Sequence, residues 1–215
     1  ADVLRATSTI TTALYNGCQA VIPVKTVEQA RETAAQLMPD SFLLGGEREG
    51  KPVQGFHFGN SPQEYFRDVI LDKVLITTTT NGTKALVHAA NAEQAVVLSF
   101  LNKSAAATYV LESGLDVSAI AAGIYGKFSI EDSVCVGFLI NSLLDSAPDL
   151  YELEPKAQEI AELARTFENR VFDLLQSSPH GNFLRNIGYG SDLAVCAQMD
   201  ACPVVPIYRQ GRITL

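Results

Sequence analysis

The sequence lacks a run of apolar residues long enough to cross a membrane, and no basic-then-apolar leader precedes its first predicted strand. Cysteine is scarce. Cys18, Cys135, Cys196 and Cys202 form no Cys-x-x-Cys pair, and no histidine lies at zinc-finger spacing from them. The spacing argues against a structural zinc site and predicts buried thiols in a reducing compartment. We therefore expect a cytoplasmic protein.

Basic residues are also few, since 16 Lys and Arg against 24 Asp and Glu give a formal net charge of −8. Binding a nucleic-acid duplex needs clustered Lys and Arg, so we expect no nucleic-acid partner. The phosphate-loop pattern G-x-x-x-x-G-K-[ST] and the dinucleotide pattern G-x-G-x-x-G are both absent. An acidic protein that binds an anion must use local Arg, Lys and helix ends, or a divalent cation held by its own carboxylates.

The 215 residues, 47% of them hydrophobic, are predicted to form one globular domain that spans the whole chain. Short β-like runs alternate with helical patterns, which is typical of an α/β fold. Strands are predicted at residues 3–4, 20–24, 42–44, 74–76, 95–98 and 117–121. Helices are predicted at residues 9–15, 27–37, 84–90, 105–112, 131–144 and 156–176. The strand at 3–4 looks cut at its start, so we expect further sequence before Ala1.

The run VVPIYRQGRITL after residue 203 predicts two strands about a Gln210-Gly211 turn, and this hairpin could close one edge of the sheet. In open α/β sheets, ligands bind beyond the carboxyl ends of the strands. The polar segments that follow the predicted strands are residues 2–9, 45–62, 77–83, 101–104 and 123–132. We expect the functional site among these segments.

The segment KVLITTTTNGTKALVHAA, residues 73–90, predicts a strand, a polar loop and a helix. Thr79, Asn81, Gly82 and Thr83 lie in the loop, and the helix is predicted to begin at Lys84. A helix entered in this way directs unpaired N–H groups and the positive end of its dipole at an anion such as phosphate. Ordinary N-capping explains the same residues.

Asp2 and Arg5 lie beside the first predicted strand and its following turn. An acid at this position is similar to that of haloacid-dehalogenase-type phosphatases, but their second aspartate is replaced here by Leu4. Asp2 could therefore hold a metal, orient a water or attack phosphorus. Arg5 could bind an anion or form a surface ion pair.

Residues 44–62 are predicted to be a long functional loop, because they are too polar and glycine-rich for a regular element. Glu47 and Glu49 could bind a hard cation, and Arg48 could clamp an anionic substrate. Asn60 and Ser61 could donate hydrogen bonds to phosphate oxygens. His57, between two phenylalanines, is predicted to be packed rather than catalytic.

Glu131 and Asp132 stand in the predicted first turn of an apolar helix, where they could complement the helix dipole or hold Mg²⁺. His180, between Pro179 and Gly181, could be structural or could act as an acid. Asp192 is predicted to be a helix N-terminal acid and nothing more.

Seven segments carry a resemblance to a known family. They are DVLRATSTI, GGEREG, GFHFGNSPQEY, TTTNGTKAL, LNKSA, GKFSIEDSVCVG and the series HGNFL, CAQMD, VVPIY. In this order they resemble the motifs of the 2-phosphosulfolactate phosphatase (ComB) family over nearly the whole chain. Thr7-Ser8 stands where Ser-Thr is expected, an exchange of hydroxyl residues that should change little.

The resemblance implies a Mg²⁺-dependent phosphatase that converts (2R)-2-phospho-3-sulfolactate to 3-sulfolactate and phosphate, a step of coenzyme M biosynthesis in methanogens. Members also occur in bacteria that do not make coenzyme M, so membership alone does not fix the substrate. The fold it implies has three α/β/α layers around a mixed central sheet.

Together, the residues and the resemblance give a hypothesis for the site. Mg²⁺ is held by some of Asp2, Glu47, Glu131 and Asp132, and either Asp2 or a water attacks phosphorus while His180 donates a proton. The residues expected to bind substrate or phosphate are Arg5, Arg48, Asn60, Ser61, Thr79, Asn81, Gly82, Thr83 and Lys84. The alternatives are another phosphomonoesterase of the same fold and a non-catalytic anion-binding protein. A homo-oligomer is also expected.

Overall fold

The fold is built on a mixed seven-stranded sheet with the strand order β3-β2-β4-β1-β7-β6-β5. A computed structural model of the chain describes residues 1–89 and 92–215, with the side chains of residues 83, 84 and 87 outside that description. The strands are β1 (Ala20–Pro23), β2 (Phe42–Arg48), β3 (Lys51–Pro52), β4 (Val74–Thr78), β5 (Ala95–Val96), β6 (Ile207–Arg209) and β7 (Arg212–Thr214). β4 pairs in parallel with β1 and β2, whereas the other pairs are antiparallel. The predicted α/β class with a mixed sheet is confirmed.

Ten α-helices lie in the described part of the chain. They are α1 (Ala6–Tyr15), α2 (Val27–Ala34), α3 (Arg67–Ile70), α4 (Gly82–Ala89), α5 (Lys103–Ser113), α6 (Ile130–Ser146), α7 (Pro155–Arg165), α8 (Val171–Ser177), α9 (Pro179–Asn186) and α10 (Gly190–Cys196). Short 3₁₀ helices cover Pro62–Glu64 and Phe100–Asn102. Among the described residues, no helix has the length and apolar character that a membrane span requires.

Alternating side chains of β4 pack against helices on opposite faces of the sheet. Leu75 belongs to a buried cluster with Ile10 and Leu14 of α1. Its neighbour Ile76 belongs to a second cluster with Ala30 of α2. Because successive strand residues point to opposite faces, α1 and α2 cover the two sides of the sheet. A third and larger cluster lies among α5, α6 and the helices that follow them.

The polar face of α1 is buried, and its hydroxyls anchor the chain around it. Ser8 Oγ donates to the carbonyl of Val3 at 2.8 Å, and Thr9 Oγ1 donates to the carbonyl of Asn60 at 2.8 Å. These bonds satisfy hydroxyls that would otherwise be costly to bury. They also fix the segment before α1, which contains a cis peptide bond between Leu4 and Arg5, and the segment at Asn60.

The two strands predicted at residues 3–4 and 117–121 are absent from the structure. The backbone at Val3 bonds to side chains instead of a ladder, because its N–H donates to Asp132 and its carbonyl accepts from Ser8. Residues 117–121 have no strand assignment. Among the hydrogen bonds of the described residues, this region bonds to Ala1 at its end. The Ala1 ammonium donates to the Ile120 carbonyl, and the Ala1 carbonyl accepts from Ala122 N–H.

The predicted hairpin about Gln210-Gly211 is confirmed, but its predicted place at a sheet edge is wrong. β7 pairs with β1 and β6 pairs with β5, so the hairpin lies inside the sheet. The helix predicted over 156–176 is two helices, α7 and α8. A turn closed by Arg170 N–H on the carbonyl of Phe167 separates them.

The glycine-rich run at residues 44–62 was predicted to contain no regular element, but β2 extends through it to Arg48. A Cβ at Gly45 would lie 2.1 Å from the hydroxyl of Tyr65, and one at Gly46 would lie 2.3 Å from the carbonyl of Thr78. Glycine is therefore required because other chain segments approach the strand closely.

Candidate active site

A cavity of about 170 Å³ lies beyond the carboxyl ends of the parallel strands β2 and β4. It is lined by Asp2, Leu4, Arg5, Glu47, Gly50, Asn60, Thr79, Thr80, Asn81, Ile124, Tyr125, Pro179, His180, Phe183 and Leu184. Four of the five polar segments singled out in the sequence contribute to this wall. The fifth, at 101–104, does not line it: Asn102 is fully buried and bonds to the backbone of Ser99, Val97 and Val204.

Asp2 is 7% exposed on the cavity wall, just before α1. Its N–H donates to Thr7 Oγ1 at 3.0 Å, and its carbonyl accepts from Thr7 N–H at 2.8 Å, which fixes its backbone. Burial, with a further contribution from the nearby Asp132 carboxylate, raises the pKa of Asp2 to about 8. A buried carboxyl that resists ionisation in this way would be stabilised as the anion by a bound cation.

Gly82, the first residue of α4, packs directly against the Asp2 carboxylate. A Cβ at this position would lie 2.6 Å from Ala6 Cβ, 3.0 Å from Asp2 Oδ2 and 3.2 Å from Thr79 Oγ1. A helix N-terminus can therefore approach Asp2 only because residue 82 has no side chain. The arrangement brings the positive end of the α4 dipole to the cavity.

Glu47 joins the ends of β2 and β4 at the cavity wall. Its Oε1 accepts from Thr80 N–H at 2.8 Å and its Oε2 accepts from Gly50 N–H at 2.9 Å. Each oxygen can accept a further bond, because a carboxylate oxygen has two lone pairs. Glu49, the other predicted cation ligand of this segment, is exposed and does not line the cavity.

Arg5 lines the cavity, but its charge is already paired. Its Nη1 donates to Asp192 Oδ2 at 2.7 Å, its Nη2 donates to the Gly50 carbonyl at 2.9 Å, and its guanidinium lies 4.3 Å from the centre of the Tyr189 ring. The side chain is 2% exposed, so the alternative of a surface ion pair is wrong. The pair is a buried one.

Asp192 was expected to be only a helix acid, and this prediction is wrong. Besides Arg5, it accepts from Ser61 Oγ at 2.5 Å and from Gln63 Nε2 at 2.8 Å. Ser61, a predicted phosphate ligand, is therefore committed to Asp192. No sequence signal pointed to Asp192, because its partners lie more than 120 residues away in the chain.

The predicted phosphate-binding residues differ in their position relative to the cavity. Asn60, Thr79 and Asn81 lie on the cavity wall. Asn81 Oδ1 also accepts from Tyr125 N–H at 3.2 Å, which ties the loop before α4 to the tight turn at Ile124–Lys127. Arg48 lies off the wall, with Nη2 donating to Thr78 Oγ1 at 3.0 Å. The side chains of Thr83 and Lys84, also predicted to bind phosphate, lie outside the described residues.

Asp132 and Glu131 are adjacent in α6 but have different surroundings. Asp132 Oδ1 accepts from Val3 N–H at 2.8 Å and Oδ2 accepts from Gly123 N–H at 3.1 Å. Asp132 therefore anchors the segment that carries Asp2. Glu131 is 1% exposed, and neither of its carboxylate oxygens has a hydrogen-bond partner.

His180 lies on the cavity wall in the first turn of α9. Its Nδ1 is 3.8 Å from Glu131 Oε1. Burial lowers the pKa of His180 to about 4, with a further contribution from the Arg5 charge. His57, in contrast, accepts a hydrogen bond at Nδ1 from Leu44 N–H at 2.9 Å and packs edge-on against Phe42, as predicted for a packed histidine.

The donor set at the cavity suits a hard cation held by few protein ligands. Asp2 and Glu47 both line the wall and supply carboxylate oxygens, the ligands that Mg²⁺ prefers. Within residues 1–89 and 92–215, no three His, Cys, Asp or Glu side chains converge as a metal-binding group. Mg²⁺ often uses only one or two carboxylates together with water and substrate phosphate, so two acids fit this ion.

All four cysteines are free and buried, as the sequence predicted. Burial raises the pKa of Cys135 and of Cys196, because the thiolate cannot be solvated there. None of the four lines the cavity, so thiol chemistry has no place in the site.

Comparison with known proteins gives a consistent result. A family model described as 2-phosphosulpholactate phosphatase matches residues 1–211. Three similar relatives are each named probable 2-phosphosulfolactate phosphatase. The protein of Clostridium acetobutylicum is 41% identical over 212 residues, which are 99% of this chain and 89% of the relative. That of Caldanaerobacter subterraneus is 39% identical, with 98% and 86% covered, and that of Symbiobacterium thermophilum is 38% identical, with 100% and 91% covered.

Proposed function

The chain belongs to the 2-phosphosulfolactate phosphatase family, and on that premise we propose that it is a Mg²⁺-dependent enzyme that hydrolyses (2R)-2-phospho-3-sulfolactate to 3-sulfolactate and phosphate. The family places it among the phosphoric monoester hydrolases. The observation that carries the proposal is the cavity beyond β2 and β4, where two acids, a histidine and a helix N-terminus meet.

The charge of the cavity supports a role for a cation. The substrate would bring a phosphate, a carboxylate and a sulfonate to a protein of net charge −8. Among the described residues that line the cavity, Arg5 is the one permanently cationic side chain, and Asp192 already neutralises it. Glu47 adds negative charge, and Asp2 adds more once its carboxyl ionises. A divalent cation at these carboxylates would favour binding of a polyanion.

We assign Mg²⁺ to Asp2 and Glu47. When bound, the ion would neutralise charge on the phosphoryl group and on the leaving oxygen. The raised pKa of Asp2 is consistent with this assignment. A buried carboxyl that binds a cation is poorly stabilised as an anion when the cation is absent, so its pKa is then high. Glu47 is held in place by the N–H groups of Gly50 and Thr80, so little ordering is needed when the ion binds.

The remaining wall residues bind and orient the phosphate. Asn60, Thr79 and Asn81 line the cavity, and α4 begins directly after Asn81, so the first backbone N–H groups of this helix lie next to the cavity. Thr83 and Lys84 stay predicted ligands at the start of the same helix. Pro179, Phe183 and Leu184 of α9 make part of the cavity wall apolar.

In the proposed reaction, a water oxygen attacks phosphorus and the ester oxygen of sulfolactate leaves. His180 donates a proton to that oxygen. Water is preferred over Asp2 as the attacking group because the Asp2 carboxylate is assigned to the cation. Donation by His180 lowers the barrier because an unactivated alkoxide is a poor leaving group.

The test is phosphate release from racemic 2-phosphosulfolactate with and without Mg²⁺, for the wild type, Asp2→Asn and the exposed control Asp149→Asn. We expect Mg²⁺-dependent release that is lost in Asp2→Asn and retained in the control. Higher kcat/KM with a different phosphate ester would show another phosphomonoesterase. Tight binding of the compound by folded protein without release would show an anion-binding protein.

We also place the protein in the cytoplasm, because four free thiols are stable in a reducing compartment. Self-association stays a prediction that analytical ultracentrifugation of the purified protein tests.

A further inference from the structure

Glu131 is a buried acid without a hydrogen-bond partner. Its side chain is 1% exposed at the start of α6, and both carboxylate oxygens lack a hydrogen-bond partner. The nearby Ser129 hydroxyl accepts from Asp132 N–H. A buried polar group that forms no hydrogen bond costs about 1–3 kcal/mol, so its presence requires a reason beyond folding.

The imidazole of His180 is the group of the cavity wall that lies against the Glu131 carboxyl. Nδ1 lies 3.8 Å from Oε1, which is longer than a hydrogen bond, and such catalytic contacts commonly tighten when substrate binds. The other charges that act on this pair are Asp132 beside Glu131, and Arg5 and Glu47, which line the same cavity as His180. Because Nδ1 faces Glu131 and the ring lines the cavity, Nε2 is the nitrogen left for the substrate.

We propose that Glu131 is a positioning residue, whose carboxyl group bonds to Nδ1 of His180 and holds the ring with Nε2–H directed at the leaving oxygen of the substrate. This assignment separates Glu131 from the metal ligands. The identity of the leaving group rests on the function proposed above, whereas the contact between the two side chains does not.

The protonation of the pair agrees with this role. Burial raises the pKa of Glu131 to about 7, and burial lowers the pKa of His180 to about 4. Between these two pKa values the imidazole is therefore neutral, and the proton of the pair is on the carboxyl. A carboxyl O–H that donates to Nδ1 selects the tautomer with hydrogen on Nε2.

The proton transfer balances in this arrangement. As the bond between phosphorus and the ester oxygen breaks, its electron pair stays on that oxygen, which takes the proton from Nε2. Nδ1 takes the proton of the Glu131 carboxyl. The water that attacks phosphorus keeps one proton on the product phosphate and releases its other proton to solvent. A solvent proton then reaches Nε2 while Nδ1 returns its proton to Glu131, which restores the starting state.

The melting temperature of a Glu131 variant distinguishes this positioning role from a purely structural one. A structural acid makes bonds that the fold needs, so its replacement by leucine destabilises the protein. Glu131 makes no hydrogen bond in the described structure, so Glu131→Leu should preserve or raise the melting temperature. The same change should lower kcat about 10-fold or more, because proton donation by a positioned group contributes about 100-fold or more.

The first experiment needs no substrate. Long-range proton–nitrogen correlation spectra of protein with isotope-labelled histidine report which ring nitrogen carries hydrogen. The chain has three histidines, and the signals lost in His180→Gln identify His180. We expect altered His180 ring-nitrogen shifts in Glu131→Leu and unaltered ones in Glu162→Leu, an exposed acid of α7. Unaltered His180 shifts in Glu131→Leu would overturn the proposal whatever the substrate is.

The second experiment compares leaving groups. 4-Nitrophenyl phosphate releases an anion that needs no proton, so Glu131→Leu should lose much less kcat with it than with 2-phosphosulfolactate. Glu131→Gln, which keeps a hydrogen-bonding group but cannot supply a proton, should retain more activity than Glu131→Leu. Equal losses with both esters would contradict the role in proton donation. Altered nitrogen shifts in a protein that does not hydrolyse phosphosulfolactate would uphold the pair and reject the proposed substrate.

Discussion

The guanidinium of Arg5 and the carboxylate of Asp192 form an ion pair at 2.7 Å, and their side chains are 2% and 1% exposed. The pair connects the segment before α1 to α10. Ser61 and Gln63 bond to the same carboxylate, so three distant parts of the chain meet at Asp192. Arg5 therefore shapes the cavity wall, and its charge is balanced before any substrate arrives.

Removing one partner of this pair should be strongly destabilising. Asp192→Asn leaves the Arg5 charge buried without its counter-charge, a change that costs about 3–5 kcal/mol. For a chain of this size we expect the melting temperature to fall by about 10 °C. Calorimetry measures it, with the exposed Asp149→Asn as control. A fall of only a degree or two in Asp192→Asn would contradict the view that the pair is structurally important.

The stabilisation by Mg²⁺ should increase with pH. The folded pKa of Asp2, about 8, lies above its ordinary value of 3.8, so the folded state binds the proton more tightly than the unfolded state. Its favourable contribution is complete below pH 3.8 and is lost as pH rises through about 8. Without metal, stability should therefore decline over this window. Mg²⁺ binds the ionised carboxylate, so it should raise the melting temperature more at the alkaline end than at the acidic end.

Thermal scans with Mg²⁺ or with a chelator, across this pH range, measure the effect. Asp2→Asn should show a smaller decline, because its amide does not ionise while the buried Glu131 still titrates near pH 7. It should show little Mg²⁺ shift, because the amide is a weaker ligand. Glu47→Gln should keep the decline and weaken the shift. An equal Mg²⁺ effect in Asp2→Asn and the wild type would place the ion elsewhere.

A methyl group at Gly82 should damage the site. In Gly82→Ala the new Cβ would meet Ala6 Cβ, Asp2 Oδ2 and Thr79 Oγ1 within 2.6–3.2 Å, so α4 or Asp2 must move. We expect kcat/KM to fall about 10-fold or more, because small displacements of positioned groups are costly, and stability to fall by about 1–3 kcal/mol. Initial rates and denaturant unfolding measure the two effects.

Gly114→Ala is the matched control for Gly82→Ala. Gly114 has a φ of +64°, and a Cβ there meets nothing within 4 Å. The control should lose about 1 kcal/mol of stability through backbone strain, with no change in kcat/KM. If both variants lose activity in proportion to stability, the contact between Gly82 and Asp2 has no specific role.

The attack by water predicts inversion at phosphorus. A single in-line displacement inverts a chirally labelled phosphoryl group, whereas attack by Asp2 followed by hydrolysis gives two inversions and net retention. Hydrolysis of isotopically chiral substrate and analysis of the product phosphate measure the outcome. Retention would assign the nucleophile to Asp2.

Local sequence patterns predicted a large part of this fold. The alternating apolar runs identified β1, β2 and β4, and the turn residues Gln210-Gly211 identified the β6–β7 hairpin. The position of the hairpin was wrong because strand order depends on long-range pairing, which composition does not encode. The strand predicted at residues 3–4 failed for a related reason, since Val3 N–H bonds to the distant Asp132.

Part of the site was predictable because its residues follow a strand. Glu47 and Thr79 come directly after β-like runs, and the rule that ligands bind at the carboxyl ends of strands placed them on the cavity wall. The commitment of Ser61 to Asp192 depends on a partner 131 residues away. Likewise, the isolation of Glu131 is a property of its packed surroundings rather than of its own segment.

The place of the β6–β7 hairpin in the sheet affects how the chain can assemble. In the sheet, this hairpin lies between strands β1 and β5. Along the chain, more than 70 residues separate β1 from β5, and about 110 more separate β5 from β6. On the ribosome, β1, β2 and β4 can pair early, while β5 must wait for residues 207–214 to emerge. A hydrophobic edge is thus exposed on the nascent chain until late in synthesis, and chaperones would be needed there most.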